Sequence, residues 1–289
     1  FCDIEEDTLG IDPKKIISKI TNKTKAILYV HMFGNPARID EINLIAKKYK
    51  LFVIEDASHA HGATYKGKKV GNFSDIAVFS VHQRKNLSCG EGGIVVSKKK
   101  EIGNKIYKLR SFGEKQLSYN YRMTEFSAAI GRVRLKTLNK ENEIRNEKAD
   151  FIFDKTNKFD EFKFIKPSNN SYSVYHKLIL KIKDKNKFNL NKFLIMMNNN
   201  GIGFERTYPP LNTHSNFNPE QKIARGIPWK WKLYSNSKKI PKKQNLIKFP
   251  ISYELSNYHL AQLDIDSTVN NLKIIKFLKV LENYFLKKY

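Results

Sequence analysis

The amino-acid sequence predicts an α/β fold, a large domain followed by a smaller α/β domain, and three observations carry that prediction. Short apolar runs rich in branched and aromatic residues alternate with helix-period patterns through the first part of the chain, which is the signature of parallel βαβ units in three layers. The runs stop at turn chemistry, and carboxylates, histidines and a lysine stand just past those stops. One long helical pattern then intervenes before strands and helices resume with a different spacing.

The elements follow in order. Asp12 reads as a helix N-cap and Pro13 as the first helical residue, where its missing N–H costs nothing. Residues 26–30 are a strand, and Ile39, Ile42, Ile45 and Tyr49 set one apolar face on the helix after it. Residues 51–55 form the next strand, and residues 64–74, with Gly67 and Gly71, a hairpin-like excursion. Residues 76–81 and 94–96 both read as buried strands, joined by a polar loop that carries Lys85 and closes through Gly90-Glu91-Gly92-Gly93. Residues 98–113 are helical, with Ile102, Ile106 and Leu109 on one face and a solvated lysine run. A long helix from 124 to 155 turns Phe126, Ile130 and Val133 inward. The passage between domains falls within or just after it, dividing the chain into residues 1–150 and 151–289. Beyond lie a strand at 172–182, a helix at 190–200, a strand at 204–208, a loop at 212–243 and a closing helix at 264–284.

Composition narrows the setting. At 289 residues and 40% hydrophobic content the chain has material for a large core. No apolar stretch is long enough to span a bilayer, the first residues are acidic, and Cys2 and Cys89 give neither a disulfide framework nor a paired metal motif. A cytoplasmic setting is expected, with no membrane and no metal. The formal charge of +25 raises nucleic-acid or anionic-membrane binding. Lysines are instead scattered beside abundant asparagine and isoleucine, the mark of an AT-rich genome, so no specific nucleic-acid partner is expected. Attraction of an anionic substrate is a modest consequence.

The chemistry gathers at two strand ends. Lys85, between buried strands and among glycines, reads either as a solvated loop lysine or as an amine held partly out of water, whose lowered pKa frees it to attack a carbonyl. Asp56 reads either as a turn or N-cap residue or as a carboxylate at the carboxyl end of a strand, where ligands of open α/β sheets collect. Together they suit pyridoxal 5′-phosphate: the lysine holds such a cofactor as a Schiff base, and the aspartate keeps the pyridine nitrogen protonated.

Residues 24–80, then His-Gln-Arg-Lys-Asn-Leu-Ser-Cys-Gly-Glu-Gly-Gly at 82–93 and Tyr-Asn-Tyr-Arg-Met-Thr-Glu-Phe at 119–126 running on to 138, resemble the DegT/DnrJ/EryC1/StrS family of sugar aminotransferases. The resemblance implies the aspartate-aminotransferase fold (fold type I) and a homodimer with shared sites. It implies transfer of an amino group from glutamate or glutamine to a nucleotide-linked keto-sugar or cyclic keto-polyol, in amino-sugar or polysaccharide biosynthesis. Lys85 is then the Schiff-base lysine and proton shuttle, and Asp56 the partner of the pyridine nitrogen. His59 stands where the family touches the cofactor's phenolic oxygen, with a packing role as its alternative, and Ser80 matches the serine on the cofactor phosphate. Asn120 matches a position that reaches the phosphate in the neighbouring subunit, with a turn former before the following helix as its alternative. His82 matches a histidine of some members and reads either as a substrate-binding or as a packing residue. Tyr208 and Tyr175-His176 lie in segments that loosely resemble those bordering the substrate, while His61, Cys89 and Glu91 read as structural. The family's tyrosine–proline pair ahead of the lysine is replaced by His82-Gln83-Arg84, which leaves the substrate open. Relatives that dehydrate carry histidine in place of the lysine, so Lys85 implies transamination. The resemblance also implies that the family's N-terminal segment is missing. That segment carries a phosphate-binding turn and the residue stacking on the cofactor, so an inactive remnant with a partner-binding role is the alternative.

Overall fold

A computed structural model of the chain describes residues 1–112, 117–213 and 249–286. Strands β1 (Ala26–Val30), β2 (Phe52–Asp56), β5 (Ile76–Ser80) and β6 (Gly93–Val96) form the first sheet in the order β1-β2-β5-β6. The first three are parallel and β6 runs antiparallel to β5. Helix α2 (Ile39–Tyr49) links β1 to β2, and its Ile39, Ile42 and Ala46 pack with Ile27, Tyr29 and Val53 in one apolar core. Ahead of β1, the short helix α1 (Pro13–Ile16) starts as expected: Asp12 caps it by accepting from the Lys14 N–H, with Pro13 at its first position.

The excursion after β2 is a two-strand hairpin, β3 (Thr64–Tyr65) with β4 (Lys68–Lys69), turning at Gly67, whose φ of 74° suits glycine. Strand β8 (Ser171–Tyr172), from far along the chain, pairs with β3 and ties the two parts of the molecule together. The second sheet is wholly antiparallel, β10-β11-β9-β7, from β7 (Phe162–Phe164), β9 (Leu178–Ile182), β10 (Phe204–Arg206) and β11 (Leu260–Leu263). Helices α5 (Leu190–Asn199) and α7 (Asn271–Leu286) and the end of α4 (Glu125–Thr156) pack on it around Phe188, Phe193, Phe204, Phe277 and Leu281. Helix α6 (Pro250–Glu254) precedes β11.

Several expectations change. Strand β6 is exposed along its whole length, with Ile94, Val95 and Val96 at 43%, 47% and 38%. It is an edge strand that pairs with β5 alone, so burial does not follow from its apolar sequence. Phe126, Ile130 and Val133 point to solvent at 86%, 52% and 64%, because α4 meets the core only from Leu138 onward. Helix α3 (Lys100–Arg110) buries no residue, so the Ile102, Ile106 and Leu109 face is present but uncovered among the described residues. The strand expected over 172–182 is two, because residues 173–177 turn away between β8 and β9 to meet the Phe33–Gly34 turn. The closing helix begins at Asn271, after an Asp266–Val269 turn closed by a backbone hydrogen bond of 3.1 Å. Most of the loop expected at 212–243 lies outside the described residues.

Candidate active site

Strand β2 ends in two carboxylates that face opposite sides of the sheet, because side chains alternate along a strand. Glu55 points into the core, fully buried, and only donors reach it. The Gly71 N–H lies at 3.1 Å, the Phe73 N–H at 3.2 Å, the Ser74 hydroxyl at 2.7 Å and His31 Nε2 at 3.2 Å. Burial pushes its pKa up, but the bonds from His31, Ser74 and Gly71 prevail and hold it below the usual value. Glu55 is therefore a structural anion that ties β1, β2 and the approach to β5. Asp56 points the other way, half-buried, and accepts the Ser58 N–H at 3.0 Å.

Lys85 sits in the loop after β5, its N–H bonded to the His82 carbonyl at 2.9 Å. Partial burial pushes its pKa down, Asp56 pulls it up, and Lys177 pushes it down again, with a net lowering. The amine is thus the partly desolvated kind, flanked by one carboxylate and one cation. Asp56, at the end of β2, lies close enough to Lys85, in the loop after β5, for its charge to act on the amine.

His59 follows Asp56 and is buried, and its ring stacks on His176 with centroids 4.3 Å apart. Phe33 lies over His59 at 6.1 Å and Tyr208 over Phe33 at 5.8 Å, nearly parallel at 2°. Tyr208, 48% exposed, forms the outer face of this aromatic stack. Burial pushes His59 and His61 down to about 4 and His176 to about 2, with the Lys85 charge adding to each shift. All three imidazoles are neutral at pH 7.

Glycines bring these parts close. Gly34, at φ 93°, passes so near residues 175 and 176 that a Cβ there would lie 2.9 Å from the His176 nitrogen and 3.1 Å from the His59 carbonyl. Its carbonyl accepts from the Val174 N–H at 3.1 Å and the Ser173 hydroxyl at 3.0 Å, clamping the segment that delivers His176 and Lys177. Gly92, at φ 138°, has Met123 packed where a side chain would stand.

The other expected residues are placed as follows. Ser80 ends β5, and its hydroxyl oxygen accepts the His82 N–H at 3.3 Å, leaving its own proton free to donate. His82 is half-buried with Nε2 3.6 Å from Oε1 of the exposed Glu91. Asn120 stands apart from these contacts, exposed on a bridge to Ser111 and accepting from Arg122 at 3.1 Å. Sequence reasoning missed Phe33, Asn86 and Lys177. The one signal available was the Gly-Asn-Pro run following Phe33, because such a run marks a turn and its glycine permits close backbone approach. Nothing local marks Asn86 or Lys177, whose partners lie far along the chain.

A sequence model of the DegT/DnrJ/EryC1/StrS aminotransferase family matches residues 1–251, and the chain belongs to that family. GDP-perosamine synthase of Escherichia coli O157:H7 is 42% identical over 144 residues, 47% of this chain and 40% of that protein. UDP-4-amino-4,6-dideoxy-N-acetyl-beta-L-altrosamine transaminase of Campylobacter jejuni is 39% identical over 191 residues, 61% of this chain and 50% of that protein. The aminotransferase from Psychrobacter cryohalolentis superimposes with a TM-score of 0.82 at 25% identity, covering 99% of this chain and 75% of that one. The fold is thus that of the fold type I sugar aminotransferases. The chain spans about half the length of the curated relatives it matches.

Proposed function

We propose that the protein transfers an amino group from glutamate or glutamine to a keto-sugar, with pyridoxal 5′-phosphate as cofactor. The observation that carries this reading is the partly buried Lys85 amine, in the loop after β5, within reach of the Asp56 charge at the end of the adjacent β2.

The donor set fits the cofactor. Lys85 offers a nucleophilic amine, Asp56 a carboxylate for a protonated ring nitrogen, His59 a neutral imidazole, and Ser80 a hydroxyl whose proton is uncommitted. When bound, the cofactor supplies the electron sink that lets the amino group move. Lys85 would hold it and afterwards carry a proton at its Nζ, which the lowered pKa favours. Asp56 would keep the ring nitrogen charged, and Ser80 would donate to the phosphate. Tyr208 and His82 border the substrate side, and the exposed Asn120 serves the cofactor phosphate of a second copy in a homodimer.

The relatives' names favour a nucleotide-linked sugar over a free polyol, since they print GDP- and UDP-linked products. Residues 1–150 and 151–289 form the cofactor-binding and smaller domains, a division supported by two apolar cores centred on either side of it. We place the protein in the cytoplasm; among the described residues no helix is long and apolar enough to cross a membrane. Incubation of the full-length protein with the cofactor, amine-labelled ¹⁵N-glutamate and a nucleotide keto-sugar should yield a ¹⁵N-labelled amino-sugar by mass spectrometry. Label transfer that persists unchanged in Lys85→Ala would defeat the proposal.

A further inference from the structure

Two stacked imidazoles beside Lys85 have their hydrogen-bond polarity set by neighbours that can bond in one sense only. The Phe33 backbone N–H can only donate, and it reaches His59 Nδ1 at 3.4 Å. That nitrogen keeps its lone pair, so the proton of the neutral ring sits on Nε2. The Val174 carbonyl can only accept, and Asn86 Nδ2 donates to it at 2.9 Å. The amide oxygen of Asn86 is thereby turned to His176 Nδ1 at 3.3 Å, which requires an N–H there and leaves the lone pair on Nε2. The two rings are 9% and 7% exposed.

We infer that Asn86 is a positioning residue that holds this pair as one donor, His59 Nε2–H, and one acceptor, His176 Nε2, next to the Lys85 amine. Asn86 follows Lys85 directly in the chain, so the same side chain fixes the loop that carries the amine to residues 174–176. A pair of fixed polarity distinguishes ligand groups: an anionic oxygen suits the donor, and a hydroxyl or ammonium suits the acceptor. Burial keeps both rings neutral, and nearby groups add to it. Lys85 and His61 face both, Lys177 at the start of β9 faces both and is itself paired with Asp264, and Asp56 alone pulls His59 toward protonation. The choice of ligand group rests on the function proposed above; the tautomers belong to the chain itself.

The chain has seven histidines, few enough for long-range ¹H–¹⁵N spectra of the imidazole-labelled protein without cofactor, with His59→Gln and His176→Gln giving the assignments. The expected result is an Nδ1–H tautomer for His176 and an Nε2–H tautomer for His59, both unchanged from pH 8 down to about 5. Asn86→Asp sets a carboxylate against His176 Nδ1 and should raise that histidine's pKa by about 1–3. An Nε2–H tautomer at His176, its ordinary titration near 6.5 in the unaltered chain, or an unmoved titration in a folded Asn86→Asp protein would overturn the inference. Should Asn86→Asp fail to fold, which thermal unfolding reports, the spectrum of the unaltered chain decides alone. A chain with these tautomers that never takes up pyridoxal phosphate would refute the proposed function and leave this inference standing.

Discussion

Lys85 takes its reactivity from neighbours, and removing one should move it in a known direction. Lys177 depresses the Lys85 pKa, so Lys177→Met should raise it and shift labelling of Lys85 by an amine reagent to more alkaline pH. Peptide mapping of labelling against pH reads this directly, and a shift to lower pH would contradict the arrangement. The buried histidines give a second prediction. In the unfolded chain they titrate near 6.5, whereas folded His59 titrates at about 4 and His176 at about 2. Below 6.5 the unfolded state binds more protons, so the stability present above that pH is lost as pH falls toward those lower values. The urea midpoint should fall between pH 7 and pH 5, and His59→Gln with His176→Gln should flatten the decline. An equal midpoint at both pH values would mean that these rings charge freely in the fold.

At the scale of elements, α4 divides into a solvent-facing first half and a core-facing second half, which its apolar pattern did not distinguish. Phe126, Ile130 and Val133 share one face by helical spacing, and a hydrophobic stripe left uncovered among the described residues suits the second copy proposed above. Ile130→Asp should shift the protein toward monomer in light scattering while leaving stability in urea unfolding within about 0.5 kcal/mol. An unchanged assembly would exclude this face. In the second sheet, Leu180 is fully buried in one apolar core with Phe164, Phe193 and Leu263, so Leu180→Ala should cost about 2–5 kcal/mol in urea unfolding. The elements were legible wherever composition and periodicity agreed: β1, β2, β5, α2 and α5 lie within a residue or so of expectation. What could not be read was which faces find a partner. A run of branched apolar residues looks the same in sequence at a sheet edge and in a core, and Ile94, Val95 and Val96 of β6 stand at an edge. The short β7 and β11 were missed because they depend on pairing with β9 and not on local propensity.

The whole molecule carries a formal charge of +25 and so attracts any polyanion at low salt. If the excess lysine is compositional, binding to random duplex DNA should rest on charge alone and collapse with moderate salt, read by fluorescence anisotropy. Tight binding to one sequence at physiological salt would instead mark nucleic acid as a ligand. The candidate site was legible in part because Lys85, Asp56, His59 and Ser80 stand at strand ends, or in the loops just after them, that are close together in the sequence. Phe33, Asn86 and Lys177 join it only through long-range contacts, such as the one between Asn86 and His176 across 90 residues, which a single sequence does not display.

The central claim, that Lys85 is the amine that takes the cofactor, is tested most directly by borohydride trapping. The full-length protein, equilibrated with pyridoxal 5′-phosphate, should develop a yellow absorbance band that reduction bleaches, leaving a stable adduct that peptide mass mapping finds on Lys85. Lys85→Ala should lose the adduct, while Asp56→Asn should keep it with slower turnover, since Asp56 acts on the ring nitrogen and not on the attachment. An adduct on another lysine, or none on Lys85 in a protein that nevertheless transaminates, would contradict the account.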